Sequence, residues 1–242
     1  MSRSTGRVQL TPGYLLHHRP WRDTSRILEV FSREHGRLTL FARGVRGPTA
    51  RLSAVLQPFQ RLLLSWSGRG EAPQLTGAER AAQDLPLPAG AVLAAFYLNE
   101  LLLRLTTRHD ALPELFDRYH DTLEQLRRGA PLEPCLRIFE KRLLELLGYG
   151  LDLGADAASG TPLAPGRYYD FRPGVGLVPA AARSVRSLSG RSLLSLAGET
   201  LSGARELEDA RRVLQAALGA CLEGRPLSTR AVAKSMKRRA VP

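Results

Sequence analysis

The sequence predicts an α+β protein: an N-terminal five-stranded β-barrel of the OB type, followed by a mainly α-helical C-terminal domain with a small cysteine-free insertion. Three observations predict it. Up to Asp84 the apolar residues fall in short β-rich runs cut by turn residues, the pattern of a small barrel or sandwich. After Leu85-Pro86-Leu87-Pro88 the apolar spacing becomes helical. From Gly148 to Pro179 neither period holds, and Gly and Pro are frequent. The domains are therefore expected at 1–84 and 85–242, with the insertion at 149–179.

Tyr14 to His18 is the first expected strand and Ser25 to Ser32 the second. Glu34-His35-Gly36 turns the chain into a third, in which Leu38, Leu40 and Ala42 alternate with Arg37, Thr39, Phe41 and Arg43. Gly44 to Pro48 reads as a loop, Gln60 to Ser67 as a fourth strand closed by Gly68-Arg69-Gly70, and Gln74 to Glu79 as a fifth. Five strands in about 80 residues suit an OB-type barrel, although an SH3-like barrel has a similar pattern. Helical stripes then run from Leu93 to Leu105, Leu112 to Leu126 and Cys135 to Leu147, with Gly129 and Gly148 as stops. A shorter helix is expected from Ser189, as N-cap, to Gly198, and another through Leu207 to Leu218. Inside the insertion, Tyr168 to Phe171 and Gly176 to Val178 read as a small hairpin.

The formal charge of +12 and pI near 10.7 favour polyanionic partners. A solvated basic surface is the alternative. Only three of the 35 basic residues are lysines, and arginine pairs bidentately with phosphate and stacks on bases. The charge is uneven. Residues 1–84 carry a net +7, residues 85–178 a net −2, and residues 179–242 again +7. Cys135 and Cys221 make neither a disulfide framework nor zinc-ligand spacing, which fits a reducing cytoplasm. The longest mostly apolar run, Ala89 to Leu105, holds Asn99, Glu100 and Arg104 and is too short and polar to span a bilayer.

Catalytic constellations are missing. The five histidines lie in no metalloprotease motif, and His17 and His18, adjacent on a strand, point to opposite faces. No Gly-x-Ser-x-Gly elbow and no Walker A loop occur, and Gly68-Arg69-Gly70 is followed by a strand rather than a helix. Glu140 and Glu145 lie on Arg-rich helical stretches, where ion pairing explains them. An enzymatic role is not expected.

A nucleic-acid role is expected. An OB-type barrel binds single strands through a basic groove with exposed aromatics, because every base has a π-face and every nucleotide a phosphate. Candidate cations are Arg19, Arg22, Arg26, Arg33, Arg37, Arg43, Arg46 and Arg51. Candidate platforms are Trp21, in a loop-like stretch between strands, Phe41 and Trp66; for Trp66 the core is the other and favoured reading, and Phe59 reads as core. The tail from Arg225 to Arg239 carries six basic residues and no acid, either as a solubilising end or for DNA contact.

At this point the residues resemble a known family. Leu16-His17-His18-Arg19-Pro20-Trp21-Arg22-Asp23-Thr24-Ser25, Phe31-Ser32-Arg33-Glu34-His35-Gly36-Arg37 and Ala42-Arg43-Gly44-Val45-Arg46 are similar, in order and spacing, to the opening of RecO recombination mediators. So are Leu56-Gln57-Pro58-Phe59, Tyr97-Leu98-Asn99-Glu100-Leu101-Leu102, Leu146-Leu147-Gly148-Tyr149-Gly150 and Glu223-Gly224-Arg225-Pro226-Leu227. The resemblance implies binding of single- and double-stranded DNA, annealing of complementary strands, and help to RecA, with RecR, in displacing single-stranded DNA-binding protein. It also implies contact with that protein's acidic C-terminal tail through a basic residue two positions before Phe139-Glu140, here Arg137. The other reading of Arg137 is an intrahelical pair with Glu133 or Glu140. Many family members hold zinc with four cysteines in the insertion, but Gly150 to Val178 contains none, so no metal or other cofactor is expected. Packing by Tyr168, Tyr169 and Phe171 is expected to hold the hairpin instead. An RNA-directed OB module, such as an RNA chaperone, stays open because phosphates dominate both kinds of binding.

Overall fold

Arg7–Trp21 forms one 15-residue strand, β1, reaching well beyond the Tyr14 to His18 run that the apolar pattern marks. The computed structural model describes residues 6–45, 51–82, 84–181, 184 and 186–239. The first part of β1 pairs with β4 (Arg61–Ser67) and its second part with β2 (Ser25–Ser32). Its ends are largely exposed, so backbone pairing rather than side-chain burial extends the strand there. The sheet continues through β3 (Gly36–Ala42) and β5 (Gln74–Arg80) and closes as a barrel in the order β1-β2-β3-β5-β4. β3 meets β5 in parallel at Phe41 and Gln74; the other pairings are antiparallel. This is the OB-type arrangement of a five-stranded Greek-key barrel.

The interior follows the period-two alternation. Leu15, Leu28, Val30, Leu38, Leu40, Leu62 and Leu64 are at most 2% exposed, and Trp66 joins them at 5%, as core. Each such leucine contributes about 1.5–3 kcal/mol relative to an exposed one. α1 (Arg51–Val55) packs Leu52 and Val55 against this core. At five residues it is too short to reveal itself by periodicity.

Beyond the barrel, α2 (Ala89–Leu105) and α3 (Pro113–Arg127) follow. They pack on the outer face of β1 and β2. Tyr14 meets Phe116 and Tyr119 at ring centroids of 5.4 and 5.0 Å, and Phe31 meets Phe116 at 5.7 Å. A bulge in β1 between Leu15 and His17 turns the Leu16 carbonyl toward α2, where Asn99 Nδ2 donates to it at 2.9 Å. The Tyr119 hydroxyl donates to Asn99 Oδ1 at 2.5 Å, and Tyr14 shares a 2.7 Å hydrogen bond with His120 Nδ1. Burial pushes the phenols of Tyr14 and Tyr119 up, so both stay protonated. The chain accordingly divides into compact units of 1–127 and 128–242. The change of period at 85 marks a change of element type, whereas the packing boundary falls 43 residues later, where the helices bound to the barrel end.

The second unit contains α4 (Leu132–Leu146), α5 (Gly190–Ala197), α6 (Ala204–Cys221) and α7 (Ser228–Arg239). Ser189 is the N-cap of α5, but its hydroxyl makes no capping bond; its amide donates to Asp209 Oδ2 at 3.1 Å. The insertion forms the hairpin of β6 (Tyr168–Arg172) and β7 (Gly176–Pro179), and β8 (Leu188–Ser189), beyond it, completes a three-stranded sheet in the order β7-β6-β8. Tyr169 is its buried anchor, its hydroxyl accepting from the Ala164 amide at 2.9 Å; Tyr168 and Phe171 are half-buried. Asp156 closes the loop before it, accepting from the amides of Ala158 and Ser159 at 3.0 and 2.8 Å and from the Ser159 hydroxyl at 2.7 Å. With both carboxylate oxygens engaged and no cysteine between Gly150 and Val178, the loop does not fit the four-thiolate zinc site of the resemblance.

Candidate nucleic-acid interface

The outer face of β1, β2 and β3 has two ends with different fates. At one end α2 and α3 bury Tyr14 and Phe31. At the other, among the described residues, the face stays partly open. Strand register places Arg19 opposite Ile27 and Ile27 opposite Phe41, and Trp21 opposite Ser25. Neighbouring strands lie ~4.8 Å apart, so Arg19 and Phe41 are about 10 Å apart across the sheet. Arg19 is exposed, Trp21 is 43% exposed, and Ile27 and Phe41 are half-buried. Arg43, just past β3, holds its guanidinium 5.7 Å from the centre of the Phe41 ring. The result is an open row of cation, apolar floor, aromatic and cation, with a tryptophan at its edge.

Trp21 ends β1 rather than standing in a loop, because the ladder with β2 runs through Trp21 to Ser25. Arg22 follows at φ +50°, turning the exposed chain toward β2. The sequence-expected cations thus divide. Arg19, Arg22 and Arg43 lie at the open end. Arg26, on the opposite alternation, donates to Ser53 Oγ at 3.3 Å. Arg33 makes a two-pronged pair with Asp117 on α3, at 2.9 and 2.8 Å. Arg37 is nearly covered, its side chain 14% exposed, and donates to Glu29 at 3.2 Å and to the Thr106 carbonyl at 2.8 Å. Neither Arg33 nor Arg37 joins the open row. Arg46 lies outside the described residues, and of Arg51 only the backbone is described. His18, beside the row, has its pKa lowered by burial, with Arg26 and His17 adding to the effect, so it is neutral at neutral pH.

Arg108 is a cation that sequence reasoning missed. The 106–110 loop lies along β3, with the His109 amide donating to the Arg37 carbonyl at 2.8 Å. That brings Arg108 to Glu29 at 2.7 Å with its side chain 50% exposed. The Thr39 hydroxyl donates to the same oxygen, Glu29 Oε1, at 2.8 Å, while Arg37 holds Oε2. Gly36 permits the docking. It sits at φ +65°, and a Cβ there would overlap the Asp110 carbonyl and stand 2.9 Å from the Asp110 nitrogen. In sequence Arg108 belongs to the near-neutral middle block, and no local pattern marks its approach to β3.

In the second unit, Arg137 lies on α4 with its side chain only 9% exposed. Its Nη2 donates to Glu140 Oε1 at 2.8 Å, one of the two intrahelical pairings expected, and its Nε is buried without a hydrogen-bond partner among the described residues. No group of three or more His, Cys, Asp or Glu side chains among the described residues is arranged to hold a metal. No helix among them is long and apolar enough to cross a membrane.

Comparison with known proteins gives a consistent result. Residues 7–83 match the family model described as recombination protein O N terminal, and residues 90–231 the one described as recombination protein O C terminal. The DNA repair protein RecO of Methylococcus capsulatus is 43% identical over 229 residues, covering 95% of this chain and 94% of that protein. The protein of the same name from Aromatoleum aromaticum is 42% identical over 234 residues, covering 96% and 97%. That of Actinobacillus pleuropneumoniae is 39% identical over 225 residues, covering 93% and 94%. With an OB-type barrel, a helical second part and near full-length similarity in hand, the chain belongs to the recombination protein O (RecO) family.

Proposed function

We propose that the protein is a non-enzymatic mediator of DNA repair and recombination, which binds single- and double-stranded DNA through the barrel of residues 1–84 and anneals complementary strands. The observation that carries this reading is the open row Arg19, Trp21, Phe41 and Arg43 on the outer face of the barrel. Aromatic side chains there offer stacking worth about 1–3 kcal/mol per base, and the flanking guanidiniums meet phosphates. Annealing follows from neutralising phosphates on two strands that otherwise repel, so it weakens steeply with salt. Family membership supports the further reading: with RecR, the protein assists RecA onto DNA coated with single-stranded DNA-binding protein, in the cytoplasm at the nucleoid. Arg137 is the residue we assign to the acidic C-terminal tail of that coating protein. Its Nε, buried and without a hydrogen-bond partner among the described residues, supports this, since a side-chain rotation that exposes Nε would gain it a terminal carboxylate as acceptor.

The test is annealing of two complementary oligonucleotides precoated with the cognate single-stranded DNA-binding protein, at two salt concentrations. Acceleration that falls with salt is expected. Arg19→Ala with Arg43→Ala is expected to flatten the slope of log K against log salt for bare single strands by about 1.4, two contacts at about 0.7 each. An unchanged slope removes those residues from the interface. A same-sequence RNA competitor that displaces DNA at equal concentration, with no annealing of coated strands, would favour the RNA-binding reading instead.

A further inference from the structure

The Glu29 carboxylate meets more positive charge than it can offset. On the outer face of the barrel Glu29 lies opposite His17 on β1 and Thr39 on β3, one row along from Arg19, Ile27 and Phe41. Two residues along a strand span about 7 Å, so this row borders the open one directly. Arg108 Nη2 donates to Glu29 Oε1 at 2.7 Å, and Arg37 Nη1 to Oε2 at 3.2 Å. Two guanidiniums against one carboxylate leave the trio with a net charge of +1. That surplus is presented unequally, since the Arg37 side chain is 14% exposed and that of Arg108 50%. The pair of Arg33 and Asp117, similarly exposed, is the contrast. There one cation meets one carboxylate through both oxygens, and no charge is left over.

The Arg108 side chain is not what docks its loop. The His109 amide donates to the Arg37 carbonyl at 2.8 Å, and Arg37 Nη2 donates to the Thr106 carbonyl at 2.8 Å, both without it. A half-exposed ion pair adds little to such a contact. We propose that Arg108 is a further phosphate contact for nucleic acid bound on the open row, reaching that row from the loop between α2 and α3. A guanidinium carries five N–H donors in a fork; Glu29 engages Nη2, and a phosphate can accept from the rest of the fork. The inference rests on the DNA-binding reading and adds to its interface a residue from outside the barrel strands.

The experiment uses the full chain with Arg108→Ala, and Arg33→Ala as the comparison, since each removes one positive charge from the first unit. Binding of a fluorescently labelled single strand is titrated across a salt series, with tryptophan fluorescence in urea as the folding check. Arg108→Ala is expected to lower the slope of log K against log salt by about 0.7, one contact, so that the affinity response to a fourfold change in salt shrinks by about 2.6-fold. Arg33→Ala should leave the slope unchanged, and Arg108→Lys, which keeps the charge, should hold the parent's. Equal falls in Arg108→Ala and Arg33→Ala overturn the proposal, because net charge alone is then at work. A lower urea midpoint with an unchanged slope overturns it in favour of a purely structural role. If Arg19→Ala with Arg43→Ala flattens the slope and Arg108→Ala does not, the barrel reading stands and this inference falls. If the parent protein fails to bind DNA at all, the functional reading itself has failed, and the inference with it.

Discussion

Gly36→Ala, compared with Gly44→Ala, isolates the contact that carries Arg108 to the barrel. Both glycines lie in the left-handed region, at φ +65° and +64°. A Cβ at Gly44 meets nothing within 4 Å, whereas one at Gly36 would overlap the Asp110 carbonyl. The left-handed strain of alanine costs ~1–2 kcal/mol and the stiffer unfolded chain returns ~0.4–1, so Gly44→Ala should cost about 1 kcal/mol. Gly36→Ala carries the same strain, and its clash is with backbone that has no rotamer to change. The 106–110 loop must lift, weakening the His109 amide bond to Arg37 and the Arg37 bonds to the Thr106 carbonyl. At ~1 kcal/mol for each, the total reaches about 3–4 kcal/mol. Trp21 and Trp66 both lie in the barrel and are the two tryptophans of the chain, so their fluorescence in a urea titration follows this unit. The Gly36 variant should unfold at clearly lower urea than the Gly44 variant. Equal midpoints would refute the docking argument.

Arg127 has its side chain 2% exposed, paired with Glu124 at 2.8 Å and bonded to the Leu85 and Phe59 carbonyls; Arg127→Met should cost the first unit about 3–5 kcal/mol by the same fluorescence assay, and a loss under about 1 kcal/mol would contradict its buried role. The Asp156 carboxyl is held below the ordinary carboxylate range by the Ser159 hydroxyl first and by backbone amides. Its stabilisation is therefore present above the unfolded value near ~3.9 and lost as pH falls through the lower folded value. Amide exchange at Ala158 and Ser159 should lose protection in that acid window, and in Asp156→Ala it should be unprotected at neutral pH; protection that persists in the variant would show that the loop is held otherwise. Chelator should leave the thermal unfolding of the insertion unchanged, and a downward shift would reveal a bound metal. Arg137→Ala should weaken capture of the tail peptide of single-stranded DNA-binding protein while bare-DNA affinity holds; equal loss of both would end that assignment.

Local pattern determined much of this protein. Alternation in Arg37 to Arg43 put Leu38, Leu40 and Ala42 inside and Phe41 outside, because a strand at the surface of a core must bury every second residue. The stripes from Leu93, Leu112 and Cys135 became α2, α3 and α4 for the corresponding reason at the helical period. The missing thiols of the insertion, likewise, are a matter of composition. What only the tertiary structure decided is which charges remain available. Arg33 and Arg37 carry the same sequence signals as Arg19 and Arg43, yet Asp117 lies 84 residues from Arg33 and Thr106 lies 69 from Arg37. Arg108, silent in the sequence, reaches the same face through a glycine 72 residues before it. Burial leaves a periodic trace along the chain, because each element faces one core. An ion pair leaves none when its partners are brought together by the packing of helices on a barrel.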